Sequence, residues 1–251
     1  MTLSNDNLLQ KLARPFRYYR TVDSTNDLAK TWLLQGAPEG AVVIADEQRR
    51  GRGRHGRLWH TPPGVALAFS MVLRPDEATL ASVHMTGALG VYDLARKIGC
   101  DEVSIKWPND VLVSGKKVSG LLVENVWESD ILVGTVLGIG VNVRVDFQDT
   151  ELRNSAISLE SVTHCRLDRV QLICKLLQRI DHWNGVNTDD VLDTWKNRLN
   201  TLGKRVKVDG FTGVAFDVTP EGALLVKSDE GEIRQVNAGD VFTLSGGGSV
   251  R

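Results

Sequence analysis

The sequence predicts an α+β domain over residues 1–200, a small β-barrel over 201–245 and a flexible glycine-rich tail over 246–251. Three observations carry this. Apolar residues recur at helical spacing in several segments. Apolar runs between residues 103 and 143 are separated by gaps too short for anything but antiparallel hairpins. After Gly203 the helical period disappears, and short alternating runs broken by Gly, Asp and Pro turns take its place.

Ser24-Thr25-Asn26-Asp27 reads as a helix start, with Ser24 as N-cap and Asp27 as its capping-box partner. Leu28, Trp32 and Leu33 give the apolar stripe, and Gly36 ends the helix. Residues 41–45 form a short strand, which leads through Gln48 into a basic loop closed by Thr61-Pro62-Pro63-Gly64. A second strand follows over 65–73. Leu80, Val83, Leu94, Ala95 and Ile98 place one long helix before Gly99. Strands are then expected over 103–107, 111–113, 118–126 and 131–143, helices near 168–183 and 189–200, and barrel strands over 205–208, 213–218, 223–227 and 233–236.

Composition narrows the function. Thirty Lys and Arg balance 31 Asp and Glu, so no global charge recruits nucleic acid or an anionic membrane. Cys100, Cys165 and Cys174 are widely spaced, which predicts reduced thiols and no zinc site. The first twenty residues carry charges throughout and lack a signal-peptide core, and the apolar stretch 131–143 is too short to span a bilayer. A cytoplasmic protein without membrane association is expected.

Against that balance, residues 49–57 hold five arginines and three glycines. Such a segment buries little and cannot be a core strand. Its arginines suit phosphate or carboxylate, and its glycines let backbone N–H groups approach a ligand. Gly51, Gly53 and Gly56 match GxGxxG, but Trp59, Pro62, Pro63 and Gly64 stand where a dinucleotide-binding helix would begin. An RNA contact and a solvated surface loop remain open on this segment alone. Lys106 precedes a Trp-Pro-Asn-Asp turn, which fixes a lysine at a strand end where it can meet an oxyanion. Glycines in Gly138-Ile139-Gly140-Val141-Asn142 suggest close approach of a ligand or of another backbone.

In order along the chain, Ser24-Thr25-Asn26, the stretch from Gln48 to Arg57, Lys106 to Asp110, KVSGLLVE from Lys117 to Glu124, and GIGVNV from Gly138 to Val143 resemble the biotin protein ligase family. The resemblance runs from Thr21 to Leu244. It implies a mixed or antiparallel sheet with helices on one face, of the class II synthetase-like, biotin/lipoate ligase type, and an SH3-like character for the barrel. It also implies ATP-dependent ligation. Biotin is activated as biotinyl-5′-AMP with release of pyrophosphate, then transferred to a lysine of a biotin carboxyl carrier protein.

By the same resemblance, Ser24, Thr25, Asn26, Gln48, Arg52, Gly53, Arg54, Lys106 and Gly120 hold biotin. Arg52, Arg54, Arg57, Trp59, Lys106, Asn109, Lys117 and Asn142 hold ATP and the adenylate, with Lys106, Arg52 and Arg54 as the catalytic residues. Magnesium is expected to arrive with ATP, held mainly by phosphates rather than by protein ligands. Only about twenty residues precede Thr21, too few for an independent domain, so a ligase without DNA-binding function is expected. Many relatives dimerise, and a homodimer through sheet edges is compatible with this reading. A lipoate ligase or octanoyltransferase is the nearest alternative, and the KWPND and GRGRHGR segments favour biotin.

Overall fold

The structure is a computed structural model that describes residues 3–244, so the tail expected over 246–251 lies outside the described residues. Seven strands form the main sheet: β1 (Phe16–Val22), β2 (Val42–Gln48), β3 (Ala66–Leu73), β4 (Val103–Lys106), β5 (Asp110–Val113), β6 (Lys116–Glu128) and β7 (Ile131–Asn142). Their order is β1-β2-β3-β7-β6-β5-β4. Only β1 and β2 are parallel, joined by a helical crossover; hairpin-type pairings make the rest antiparallel.

Seven helices accompany the sheet: α1 (Asn5–Leu9), α2 (Thr25–Leu34), α3 (Glu77–Leu80), α4 (Val83–Lys97), α5 (Leu159–Thr163), α6 (Arg169–Asn184) and α7 (Thr188–Lys196). Strand alternation sorts the packing. Val42, Ile44, Phe69, Met71, Leu137 and Ile139 point into the larger core, beneath α4 and α6. Val43, Val72 and Val136 point to the opposite face and meet Ala29 and Leu33 of α2. Thus α2 is the exception to a one-sided arrangement, and the rest of its face is left open beside the sheet.

Three expectations change. The long helix around residues 80–98 is two helices, because Ala81 and Ser82 form a turn capped by backbone bonds to Thr79. Ser24 caps α2 by position, yet its side chain makes no capping bond, and the Asp27 carboxylate is bound by Arg52 instead. Strand β1 was not anticipated, since Arg17 and Arg20 break the apolar alternation.

The C-terminal sheet contains β8 (Arg205–Val208), β9 (Phe211–Val218), β10 (Leu224–Lys227), β11 (Ile233–Val236) and β12 (Phe242–Thr243), in the order β11-β10-β9-β8-β12. Its residues join the larger core through Val206, Val208, Ala215 and Leu224. The linker into it runs along β4: Ile105 N–H donates to the Arg198 carbonyl and Asn200 N–H to the Ile105 carbonyl, both at 2.8 Å. Trp107 is 2% exposed and donates its indole N–H to the Gly222 carbonyl at 2.8 Å.

At this junction His84 packs edge-on against Trp195 at 5.2 Å, under the turn at Gly222. Burial there pushes its pKa down to about 4. The folded value lies below the unfolded one of 6.5, so the unfolded chain takes up the proton first as pH falls. Stability should be flat above neutrality and decline between pH 6.5 and 4, by on the order of 1–2 kcal/mol at pH 5. Urea midpoints at neutral and mildly acid pH check this. An equal decline in His84→Phe would assign the effect to other groups.

Candidate functional site

A cavity of about 550 Å³ opens on the α2 face, between the arginine loop, β6, β7, residues 147–156 and the barrel segment 239–242. All the site residues named from the sequence line it. They divide into a buried polar end, a glycine floor and a cationic mouth.

The polar end is built on the start of α2. Ser24, Thr25 and Asn26 are buried there. Thr25 donates its backbone N–H and its hydroxyl to Gln48 Oε1 at 2.9 and 3.0 Å, and Gln48 Nε2 donates to Thr61 Oγ1 at 3.2 Å. Asn26 Nδ2 donates to Glu124 Oε2 at 2.7 Å, while its Oδ1 accepts from Ser70 Oγ at 2.5 Å. Lys30 holds the other Glu124 oxygen at 2.8 Å. These bonds fix the Asn26 amide with its oxygen toward Ser70. The Ser24 hydroxyl has no hydrogen-bond partner among the described residues and remains available to a ligand. Ser70 and Glu124 were not found from the sequence: Ser70 sits in an otherwise apolar strand, and Glu124 ends the KVSGLLVE segment without a distinguishing pattern.

The glycine floor follows from register. Gly140 pairs with Gly120 across β6 and β7, and Gly138 pairs with Ser70 across β3 and β7. A Cβ on Gly138 would lie 2.1 Å from Asn26 Oδ1, and one on Gly140 would lie 2.2 Å from the Trp59 indole. The close approach expected of these glycines is therefore made by Asn26 and Trp59. Trp59 fills the slot over Gly140 with Lys117 Nζ 5.3 Å from its ring centroid.

The arginine loop is more ordered in its bonding than its composition suggests. Gly53 N–H donates to the Arg57 carbonyl and Trp59 N–H to the Gly51 carbonyl, each at 2.7 Å, so the two limbs pair around a turn at Arg54–Gly56. His55 at φ 55° and Gly56 at φ 70° make that turn. Arg52 is held fork-to-fork by Asp27 at 2.6 Å for each bond. The Arg52 guanidinium, chiefly, holds the Asp27 carboxyl down to about 2. Arg57 pairs with Asp240 of the barrel.

Among the lysines, Lys117 is paired with Asp110 at 2.7 Å. Asn109 donates to the Leu121 carbonyl at 2.5 Å, and Asn142 donates to the carbonyls of Lys117 and Ile157 at 3.3 and 3.2 Å. Both asparagines thus brace the walls that they line. Among the described residues, two of the arginines and lysines lining the cavity have no ion pair or hydrogen bond: Lys106 at the end of β4, and Arg54 at the loop turn. Arg54 is half-buried, and its pKa is pushed down by desolvation, partly offset by the charges of Asp240 and Asp110. An anion entering here would offset the desolvation of Arg54. No cluster of three or more His, Cys, Asp or Glu side chains that could hold a metal occurs among the described residues.

Comparison with known proteins agrees with this geometry. The Biotin/lipoate A/B protein ligase family matches residues 18–142, and the Biotin protein ligase C terminal domain matches residues 201–244. The bifunctional ligase/repressor BirA of Bacillus subtilis is 32% identical over 237 residues, spanning 89% of this chain and 72% of that protein. The biotin–[acetyl-CoA-carboxylase] ligase of Paracoccus denitrificans is 30% identical over 236 residues, spanning 88% and 97%. A biotin protein ligase from Aquifex aeolicus, solved in complex with biotin and ATP, is 30% identical with a TM-score of 0.77 over 91% of this chain and 97% of that one. The chain belongs to the biotin protein ligases of the biotin/lipoate A/B protein ligase family.

Proposed function

We propose that this cavity joins biotin to ATP to give biotinyl-5′-AMP and pyrophosphate, then passes the biotinyl group to a lysine of a biotin carboxyl carrier protein with release of AMP. The observation that carries the site assignment is the pairing of a buried polar end, braced except for the Ser24 hydroxyl, with two cations that lack partners, Lys106 and Arg54. The ureido ring sits against Ser24, Thr25, Asn26 and Gln48, where the Ser24 hydroxyl can donate to its carbonyl and the remaining lone pair of the Asn26 amide oxygen can accept from an N–H group. The valeryl chain crosses the glycine floor near Gly53 and Gly120.

The carboxylate then meets the α-phosphate at the cationic mouth. Two anions must be brought into line, and Lys106 lowers their repulsion from a fixed strand end. Arg54 covers the phosphate from the loop. Lys117, held on Trp59 by Asp110, is a second positioned charge on the nucleotide side, with Asn109 and Asn142 bracing the walls there. Arg52 is engaged with Asp27, so its part is to anchor the loop as well as to face the ligand. The biotin carboxylate is itself the nucleophile in the first step, and the carrier's amine in the second, so no protein nucleophile is required. Magnesium enters as the ATP complex, with phosphates and water as its ligands.

We assign catalysis to residues 1–200 and a supporting wall to the barrel over 201–245. No helix among the described residues is long and apolar enough to cross a membrane, which is compatible with a cytoplasmic enzyme. A homodimer is compatible with the sheet, where β1 stands at an edge.

Pyrophosphate release on mixing with biotin and MgATP tests the proposal. Lys106→Ala and Lys117→Ala should each slow it about 100-fold or more, the loss typical of one positioned charge on a developing oxyanion. No biotin-dependent release by the unmodified protein would overturn the ligase reading. Full activity in Lys106→Ala would move the charge role to Lys117.

A further inference from the structure

Besides backbone bonds from Arg49 and Arg50 to the Val22 and Asp23 carbonyls, two arginines of the loop are held by carboxylates from different parts of the chain. Asp27, on α2, holds Arg52 at the limb entering the loop. Asp240, between β11 and β12, holds Arg57 at the limb leaving it. Arg54 lies between the two ties at the turn. Among the described residues, Arg57–Asp240 is the single hydrogen bond or ion pair joining residues 49–60 to the barrel. Beside it a second cavity of about 470 Å³ separates His55 from Lys207, Asp209 and Phe242. Loss of the one pair would therefore leave the outgoing limb facing open space.

Other features of the barrel segment suit it to this duty. Val241, the next residue, is 3% exposed and packs in the common core, so Asp240 is presented from a fixed backbone. The segment from Gly239 to Phe242 also lines the main cavity, as do Lys106 and Asn109. The pair itself is solvent-accessible, with side chains 63% and 36% exposed. Such pairs contribute little to global stability and weaken with salt. They can still bias a local loop equilibrium by several-fold, because nothing else among the described residues bonds the loop to the barrel.

We propose that Asp240 is a positioning residue of the ligase reaction: by holding Arg57 it keeps the loop closed, keeps Arg54 over the phosphate, and so retains the acyl-adenylate until the carrier lysine arrives. The barrel thereby acts on the chemistry through one carboxylate. This rests on the ligase reading above. Its first test does not. Limited trypsin digestion reads the opening of the loop directly, since cleavage after Arg54 and Arg57 requires an unpaired limb. Asp240→Asn should raise cleavage there by about threefold to fivefold, the range an exposed ion pair supplies, and Asp240→Glu should restore protection. Added salt should loosen the loop of the unmodified protein more than that of Asp240→Asn, which keeps the Arg52–Asp27 pair but no longer the Arg57 pair for salt to screen.

The second readout is the fraction of biotinyl-5′-AMP found free in solution per pyrophosphate formed. It should rise by the same factor in Asp240→Asn and return in Asp240→Glu. Equal trypsin protection in Asp240→Asn and the unmodified protein would overturn the proposal. So would Asp240→Glu cleaving as fast as Asp240→Asn, which would show a role in barrel shape rather than charge. Faster cleavage without any biotin-dependent pyrophosphate would keep the latch and overturn the ligase reading instead.

Discussion

Arg54→Gly will still form the adenylate but lose it to solvent, so that free biotinyl-5′-AMP accumulates and labels bystander lysines. The reason lies in what remains after the change. Lys106 and Lys117 stay on β4 and β6 and can still align carboxylate and α-phosphate. Arg54 is the half-buried loop cation without an ion pair, and its removal leaves glycine at the turn, with no charge over the product phosphate. Hydrogen bonds to a charged group contribute about 1.5–3 kcal/mol, so escape should quicken by about 10- to 100-fold. Turnover with a large excess of carrier should suffer less, because capture then competes with escape. The measurement is free adenylate after filtration, together with biotin incorporated into an unrelated protein. A variant that neither leaks adenylate nor labels bystanders would remove the retention role from Arg54.

Gly138→Ala will weaken biotin binding by about 100-fold while leaving the affinity for ATP nearly unchanged. The added Cβ would sit 2.1 Å from Asn26 Oδ1, well inside contact. Asn26 cannot simply turn away, since Ser70 and Glu124 hold its two ends and the side chain is buried. Either β7 shifts or the amide loses its bonds, and a displacement of about 1 Å at a positioning group is enough for a 100-fold effect. Overpacking should also lower stability by about 1–3 kcal/mol. Titration calorimetry with biotin and with ATP separates the two ligands. Unchanged biotin affinity would show that the polar end does not hold the ureido ring.

These two positions differ in how readable they were. The glycines of GIGVN announce close approach, but only β-sheet register shows that Gly138 faces Ser70 and Gly140 faces Gly120. Likewise the loop's composition declares an anion site, whereas its two anchors are invisible, because Asp27 and Asp240 stand 25 and 183 residues from the arginines they hold. Asp27 shows how local reasoning was overridden: at capping-box spacing from Ser24, it makes the stronger charged bond to Arg52. The strands rich in Val, Ile and Leu were legible from their alternation and turns. Strand β1 was not, because the exposed Arg17 and Arg20 interrupt its apolar alternation, and the contact of Arg17 with the Trp32 ring leaves no pattern in the sequence.

Trp107 places a limit on how this protein can be taken apart or recombined. Its indole N–H ends on a carbonyl 115 residues downstream, and its backbone N–H ends on Thr201. A fusion joint or gene break near residue 200 would therefore strand a buried donor one residue from Lys106, at a cost of about 1–3 kcal/mol. Lys106 takes its position from both domains of the chain. Chimeras that exchange the C-terminal domain must bring a matching acceptor turn, or Trp107 will be misaligned before any substrate binds.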